Sequence, residues 1–195
     1  MANRPVLAGI LGGIGMFLWS SVAHMALPLG DVGIREIPNE EAVLAPMSAT
    51  LGHESGMYLF PGMGSGTNSE RQARYEKKTA ANPSGMLIYH PPGAPAMTPG
   101  QLITEFAKEM LMALGAVLLL ARTKIFEYSG RVGFLAAIGA IAAVGTNVSY
   151  WNWYGFPSSY TVAAILIEWG GFLVAGLIAA AMVKPAPMAR VARVP

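Results

Sequence analysis

The chain alternates between long apolar runs and one long stretch of mixed polarity. The apolar runs cover residues 7–27, 102–121, 132–150 and 160–183. An α-helix rises about 1.5 Å per residue, so each run can cross a hydrocarbon core ~30 Å thick. The pattern therefore predicts four transmembrane helices. Residues 28–100 contain no run of that length, and we expect them to form a separate domain between the first two helices.

Aromatic residues cluster between the third and fourth runs, where residues 149–157 read SYWNWYGFP. Tyr and Trp rings favour the membrane–water boundary, because their apolar bodies and polar tips are both satisfied there. Gly155 and Pro157 favour a turn, since Gly tolerates positive φ and Pro cannot continue a helix. The segment is thus predicted to be the turn of a helical hairpin at one membrane surface. Its predicted interface anchors are Tyr150, Trp151, Trp153 and Tyr154.

The domain between the first two spans has the pattern of a small α+β unit. Residues 55–62 and 84–91 are similar phrases, each a short β-prone run bounded by Gly and Pro, and we expect them to pair as two strands. Residues 68–81 are mostly polar and predict a solvated helix between the strands. A shorter helix is expected earlier, with Asn39 as its N-cap. The glycine-rich residues 62–66 are interpreted as a flexible linker.

The first apolar run has two interpretations. Small residues at 21–23 would suit the cleavage site of a signal peptide, whereas the many glycines of the run are typical of a packed helix.

The other spans also carry local signals. Thr98 and Pro99 are the expected N-cap and first residue of the second span. Small residues at helical spacing predict close packing within the bundle or with a neighbouring chain. The residues of these small faces are Gly9, Gly13, Gly139, Ala143, Gly171 and Ala175.

Charge predicts the orientation of the spans. The composition is 53% hydrophobic and only 12% charged, so the positions of the few charges are informative. The two termini and residues 122–131 together carry seven basic residues and one acidic residue, whereas residues 28–100 carry five basic and seven acidic residues. The positive-inside rule then places both termini in the cytoplasm and residues 28–100 outside. The predicted divisions are residues 1–27, residues 28–100, residues 101–183 and a cytoplasmic tail, residues 184–195.

A few polar residues interrupt the spans, and such residues mark a functional site by default because they are costly in lipid. All are predicted to lie in the outer half of the bundle, where they could bind a ligand or cation or relay protons. An alternative is that Glu105 pairs with Lys108 near water and that Glu168 is hydrogen-bonded between helices or meets a partner subunit. The candidates for the ligand or proton-relay site are His24, Glu105, Glu109, Asn147 and Glu168.

Several functional classes lack support in the sequence. There are no cysteines, so thiolate metal sites and cysteine nucleophiles are excluded. His24 with carboxylates could hold a metal, but no metal-binding spacing occurs on any predicted helix, and the metal is left unknown. No cofactor is predicted. The scattered basic residues do not suggest binding to nucleic acid.

Three phrases resemble those of a family of bacterial inner-membrane proteins of unknown function. They are PSGMLIYH at residues 83–90, MTPGQ at residues 97–101 and VSYWNWYGFP at residues 148–157. The resemblance covers most of the chain. It implies a bacterial origin and four spans, and it assigns no catalytic residue.

The expected fold is an all-α membrane protein of four transmembrane helices, with a small extracytoplasmic α+β insertion between helices 1 and 2, in the bacterial inner membrane. The first functional hypothesis is a non-enzymatic accessory or assembly subunit of a membrane complex, with other membrane proteins or further copies of the chain as partners besides the lipid bilayer. The alternative is a small transporter or ligand-binding protein that uses the polar cluster. An enzyme would need a bound metal or haem.

Overall fold

The computed structural model describes residues 3–183, so the predicted tail with Lys184, Arg190 and Arg193 lies outside the described residues. The described chain divides into two compact units. The bundle unit contains residues 3–33, 98–151 and 156–183, and the loop unit contains residues 34–97 and 152–155. The elements in chain order are α1 (Asn3–Met25), a 3-10 turn (Leu29–Asp31), α2 (Glu41–Leu51), β1 (Gly56–Phe60), α3 (Asn68–Thr79), β2 (Gly85–Tyr89), α4 (Pro99–Leu120), α5 (Tyr128–Tyr154) and α6 (Ser158–Met182).

Three helices of the described chain, α1, α5 and α6, are long and apolar enough to cross a membrane. The fourth predicted span corresponds to α4, which has 22 residues but carries three charged residues in its first half. Its start matches the expectation: the Thr98 side chain accepts from the backbone N–H of Gln101, and the Gln101 side chain accepts in return from the backbone of Thr98. Pro99 follows this capping box as the first helical residue.

Helix α1 packs against α4 through its glycines. A Cβ built on Gly9 would lie 2.9 Å from the Cα of Leu114, and one built on Gly13 would lie 2.8 Å from the Cα of Met110. Phe17 meets Phe106 edge to face, with ring centroids 5.3 Å apart. From one contact to the next, residue numbers rise along α1 and fall along α4, so the two helices are antiparallel.

Helix α6 packs on another side of α1, also antiparallel. Gly12 approaches Ala175, and Met16 approaches Gly171. One turn further along α1, the Trp19 indole Nε1 donates to the Ile167 carbonyl oxygen at 2.8 Å. An indole N–H in a membrane helix needs such an acceptor, since lipid offers none.

Helices α5 and α6 form a hairpin. Gly139 lies so close to the ring of Phe172 that a Cβ there would collide with it, and Ala143 is fully buried. The hairpin differs from the prediction at its aromatic end. Helix α5 continues to Tyr154, so the four aromatic anchors lie in its last turns, and the turn itself is confined to residues 155–157. Gly155 supplies the turn with a φ of 71°.

The core of the bundle unit is concentrated towards the end where α1 begins, which we call the packed end. Val117 and Leu120 of α4, Leu135 of α5 and Ala179 of α6 are almost completely buried there. Of the small residues predicted to form packing faces, Ala143 is buried, and the others lie in contacts between helices of the same chain: Gly9, Gly13, Gly139, Gly171 and Ala175.

The charge pattern groups Arg131 with the cations of the connection formed by residues 122–131. In the structure it is instead a buried side chain in the first turn of α5, with 8% exposure. Its Nη2 and Nε atoms donate to the Ala180 carbonyl oxygen at 2.8 and 3.2 Å. Its Nη1 atom donates to the Phe126 carbonyl oxygen. The guanidinium therefore ties the start of α5 and the preceding loop to the last turn of α6, where helix carbonyls lack partners of their own.

The loop unit is built around an antiparallel pair of strands, as the two similar phrases predicted. In the register of the pair, Gly56 is opposite Tyr89 and Phe60 is opposite Gly85. The Tyr89 hydroxyl donates to the Gly52 carbonyl oxygen at 2.9 Å, and its ring meets Tyr58 edge to face. The sheet is thereby attached to the end of α2.

Two local predictions in the loop unit are wrong. Asn39 does not cap α2: it has a φ of 53°, and Glu40 precedes the helix without a side-chain cap. Residues 62–66 are not a free linker, because α3 holds their backbone. Arg74 donates to the carbonyl oxygens of Met63 and Ser65 at 2.9 and 2.8 Å, and Lys78 donates to that of Gly62 at 2.8 Å.

Candidate functional site

A cavity of about 520 Å³ lies in the bundle unit at the end opposite the packed end. It is enclosed by the last turns of α1, the first turns of α4, the second half of α5 and the first half of α6, with Leu29 and Gly30 at its edge. Because neighbouring helices run in opposite directions, these segments lie at one level of the bundle. We call this the cavity end.

All five polar candidates predicted from the sequence line this one cavity, together with Lys108. Four different helices supply them, so the fold brings together residues that are up to 144 positions apart in the chain. Whether they bind a ligand stays a prediction. The five residues are His24, Glu105, Glu109, Asn147 and Glu168.

Lys108 bridges the two carboxylates of α4. Its Nζ atom lies 2.6 Å from Glu105 Oε1 and 3.3 Å from Glu109 Oε1. The side chains of Lys108 and Glu105 are 48% and 43% exposed, so their pairing is the boundary ion pair that the sequence offered as an alternative. Glu109 is different because it is 6% exposed.

Only one oxygen of Glu109 is paired. The Oε1 atom faces Lys108, whereas Oε2 is buried and has no hydrogen-bond partner among residues 3–183. A buried carboxylate oxygen normally accepts hydrogen bonds, and leaving it without a donor costs about 1–3 kcal/mol. The side chain is held there because α4 is packed against Gly13 of α1, whose Cβ position lies 3.3 Å from the Glu109 carbonyl oxygen.

Glu168 is held by Asn147 across the α5–α6 hairpin. The Asn147 Nδ2 atom donates to Glu168 Oε2 at 3.3 Å and to the Ala143 carbonyl oxygen of its own helix at 2.9 Å. With both amide hydrogens used, the Asn147 Oδ1 atom remains an acceptor. Glu105, Glu109 and Glu168 line the same cavity, so the carboxylates of α4 and α6 face one region of space.

His24 lies at the rim of the cavity and is exposed. Its Nδ1 atom lies 2.8 Å from the Ser20 carbonyl oxygen, which can only accept, so Nδ1 donates this hydrogen bond. The ring packs against Gly30, where any side chain would collide with it. The glycine thus allows the 3-10 turn to approach the end of α1.

Most of the cavity wall is apolar, and the sequence analysis missed this part of the site. Trp19 lies in the wall with its indole N–H committed to Ile167, so it offers the cavity only its apolar ring. These residues carry no signal in the sequence because apolar positions in a span look alike. The main apolar lining residues are Met16, Trp19, Met112, Ala164 and Ile167.

Two of the aromatic anchors, Tyr150 and Trp151, contact residues around the start of α6. Tyr150 stacks on Phe156, which in turn meets Tyr160 of the cavity wall, with centroids 5.5 and 5.4 Å apart. The Trp151 indole N–H donates to the Ser158 hydroxyl at 3.0 Å. Trp153 is 79% exposed, as expected of a side chain that contacts lipid headgroups or water.

The donor set does not form a metal site within residues 3–183, because no three His, Asp or Glu side chains lie close enough together to hold an ion. What the cavity does contain is an excess of negative charge, with three carboxylates and one ammonium. Such a site favours a cation. Comparisons of the chain with protein-family models, with curated proteins and with solved structures find no match.

Proposed function

We propose that the protein is an integral membrane protein of four spans that binds a cation in the cavity of its bundle unit. The observation that carries this proposal is the buried Glu109 carboxylate, whose Oε2 atom lacks a hydrogen-bond partner among residues 3–183. In a membrane helix an ionisable group of this kind faces a partner or a substrate pathway.

The packing of α4 supports its assignment as the fourth span. It lies antiparallel along α1 at three successive levels, from Gly9 and Leu114 to Phe17 and Phe106. If α1 crosses the bilayer, α4 lies at the same depth beside it, and its 22 residues reach ~33 Å. The three charged residues that weaken its apolar character all lie in its first half, on the side of the cavity, and the deepest of them, Glu109, is halfway along the helix.

The orientation follows from charge. With α4 and α6 antiparallel to α1, both ends of the bundle's chain lie at the packed end, where the exposed Arg122 and Lys124 also lie. The positive-inside rule makes this the cytoplasmic side and places the cavity towards the outside. The bacterial inner membrane is the proposed location, in line with the family resemblance.

The accessory-subunit hypothesis stays a prediction. The small-residue faces are one reason for this hypothesis, because they could pack against a partner. In the structure they contact helices of the same chain: Gly13 contacts Met110, Gly139 contacts Phe172 and Gly171 contacts Met16. No other feature of residues 3–183 points to a particular partner, whereas the cavity points to a ligand class.

The test is a cation titration of the protein in lipid nanodiscs. Sodium, magnesium and an organic ammonium are added as chlorides at constant ionic strength, and the Tm of the wild type is compared with that of Glu109→Gln. A cation that binds at the cavity raises the Tm of the wild type by mass action and that of the variant much less. Glu127→Gln removes the same charge outside the cavity and is the matched control. Equal responses of all three proteins to every cation would overturn the proposal.

A further inference from the structure

The size of the cavity indicates what kind of cation fits. At about 520 Å³ it falls in the ~300–1,000 Å³ range of sites for small organic molecules. A water molecule takes up only about 30 Å³, so the cavity has room for an ion with an organic body together with several waters.

The arrangement of oxygen ligands also disfavours a bare ion. Calcium takes about 6–8 oxygen ligands and magnesium about six in near-ideal geometry. Within the described chain the carboxylates are too dispersed for even three of them to share an ion. An ammonium group is less demanding, because it has up to three N–H donors and does not need a closed shell.

The cavity already accommodates an ammonium group. The Nζ atom of Lys108 lies between Glu105 and Glu109. It pairs with Glu109 Oε1, whereas Oε2 has no hydrogen-bond partner among residues 3–183. A second ammonium could therefore bind between Glu109 and Glu168 without displacing Lys108, once the Glu109 side chain turns its unpaired Oε2 atom, which has almost no exposed surface, towards the cavity. Three carboxylates would then face two ammonium groups, which leaves one negative charge in the cavity instead of two.

The carboxylates and the apolar wall lie at different depths. Glu109 precedes Met112 by three residues on α4, and Glu168 precedes Gly171 by three residues on α6, which places the apolar pair ~4.5 Å deeper. Met16 of α1 lies at the same deeper level, since its Cε is 3.5 Å from the Cβ position of Gly171. Met16, Met112 and Gly171 form the cavity floor.

Together these features define a ligand with a charged head and a short apolar body. Resting on the proposed function, we infer that the cavity binds a small primary organic ammonium ion, with its head at Glu109 and Glu168 and its alkyl body on the cavity floor. A floor one helical turn below the carboxylates suits a body of about two to four carbons.

The experiment measures binding of n-butylammonium chloride to the full chain in nanodiscs by isothermal titration calorimetry. Methylammonium keeps the head and lacks the body, 1-butanol keeps the body and lacks the charge, and sodium chloride is the inorganic comparison. Each buried CH₂ contributes roughly fourfold in affinity, so butylammonium should bind at least tenfold more tightly than methylammonium. The neutral 1-butanol should bind at least tenfold more weakly than butylammonium, because it leaves Glu109 Oε2 without a charged partner.

The variants Glu109→Gln and Glu168→Gln should each weaken butylammonium binding about tenfold or more, while Glu127→Gln should leave it unchanged. The comparison of ligands on the wild type needs no variant, so a folding defect in one variant does not remove the test. Sodium or magnesium binding that depends on Glu109, without butylammonium binding, would overturn this inference and leave the proposed function standing. Equal affinity for butylammonium and 1-butanol would also overturn it, and the absence of binding by any cation would overturn both.

Discussion

Glu109 and Arg131 are two buried charged residues of the bundle unit, and they differ in how completely their polar atoms are hydrogen-bonded. The guanidinium of Arg131 donates to the carbonyl oxygens of Phe126 and Ala180. The carboxylate of Glu109 leaves one oxygen unpaired among the described residues. A buried charge with a complete set of partners stabilises a particular arrangement, whereas an incomplete set suits binding. This contrast assigns Arg131 to stability, and it supports the proposal that Glu109 belongs to a binding site.

Replacing Arg131 by Met should destabilise the bundle by about 2 kcal/mol or more, because the buried carbonyl group of Ala180 and the partly buried one of Phe126 lose a charged donor. Arg131→Lys should recover only part of this loss, since an ammonium cannot reproduce the planar fork of the guanidinium. The measurement is thermal unfolding in detergent. Arg122→Met, at an exposed position of the same connection, is the control and should change the Tm little. Equal Tm values for Arg131→Met and the wild type would contradict the assignment.

The sequence could not distinguish these roles. Arg131 was counted with the loop cations because the apolar run was expected to begin at residue 132, and α5 in fact begins at Tyr128. That difference of one helical turn moves the side chain from water into the hairpin. Glu109 was found from the sequence because a carboxylate in a span is rare, but its missing hydrogen-bond partner depends on three-dimensional neighbours.

At the scale of the elements, glycine positions decide how closely the helices approach. Gly13 of α1 faces the backbone of α4, whereas Gly115 of α4 has no atom within 4 Å of its Cβ position. The spacing of Gly9 and Gly13 predicted close packing within the bundle or with a neighbouring chain, and both glycines face α4. The spacing of small residues along a helix does not reveal which neighbouring helix their face packs against.

Gly13→Ala should destabilise the bundle by about 1–3 kcal/mol, because the new methyl group would meet the Cα of Met110 and a backbone atom cannot move aside. Gly115→Ala adds the same methyl group into open space and should be neutral or slightly stabilising through helix propensity. Thermal unfolding of both variants in the same detergent provides the comparison. A Gly13→Ala protein as stable as Gly115→Ala would mean that α1 and α4 are further apart than described.

Helix α3 provides a pH-dependent element outside the spans. Hydrogen bonds from the backbone N–H and the side chain of Thr67 hold the pKa of Glu70 below its ordinary value of 4.5. The folded helix start therefore prefers the ionised carboxylate. The ionised Glu70 carboxylate therefore stabilises the folded helix start. This contribution is complete above pH 4.5 and is lost as the pH falls through the lowered pKa of Glu70.

Hydrogen exchange can follow this loss. After correction for intrinsic rates, the amides of residues 67–71 should be less protected near pH 3 than near pH 7, while those of the strand Gly85–Tyr89 should change less. Thr67→Ala removes the capping hydroxyl, should weaken the start of α3 by about 1 kcal/mol, and should reduce the pH dependence. Protection of residues 67–71 that is independent of pH would show that Glu70 does not act in this way.

At the scale of the whole molecule, the sequence predicted the long helices and the paired strands, because apolar run length and β-prone phrases bounded by Gly and Pro are strong signals. The level of the polar residues was also predictable, since depth follows from position within a span. Their convergence on one cavity was not, because rotation of each helix about its axis depends on packing at Gly9, Gly13 and Gly139. The apolar wall, including Trp19, had no signal at all.

The crossing of α4 decides the topology, and the absence of cysteines makes it directly measurable. Lys77 precedes α4 and Lys124 follows it, and both are exposed. Single variants Lys77→Cys and Lys124→Cys are treated in bacterial spheroplasts with a maleimide that cannot cross membranes. If α4 spans the bilayer in the proposed orientation, Lys77→Cys reacts in intact spheroplasts and Lys124→Cys reacts only after lysis. Reaction of both from the same side would place α4 outside the bilayer, and the reverse pattern would invert the protein and turn the cavity towards the cytoplasm.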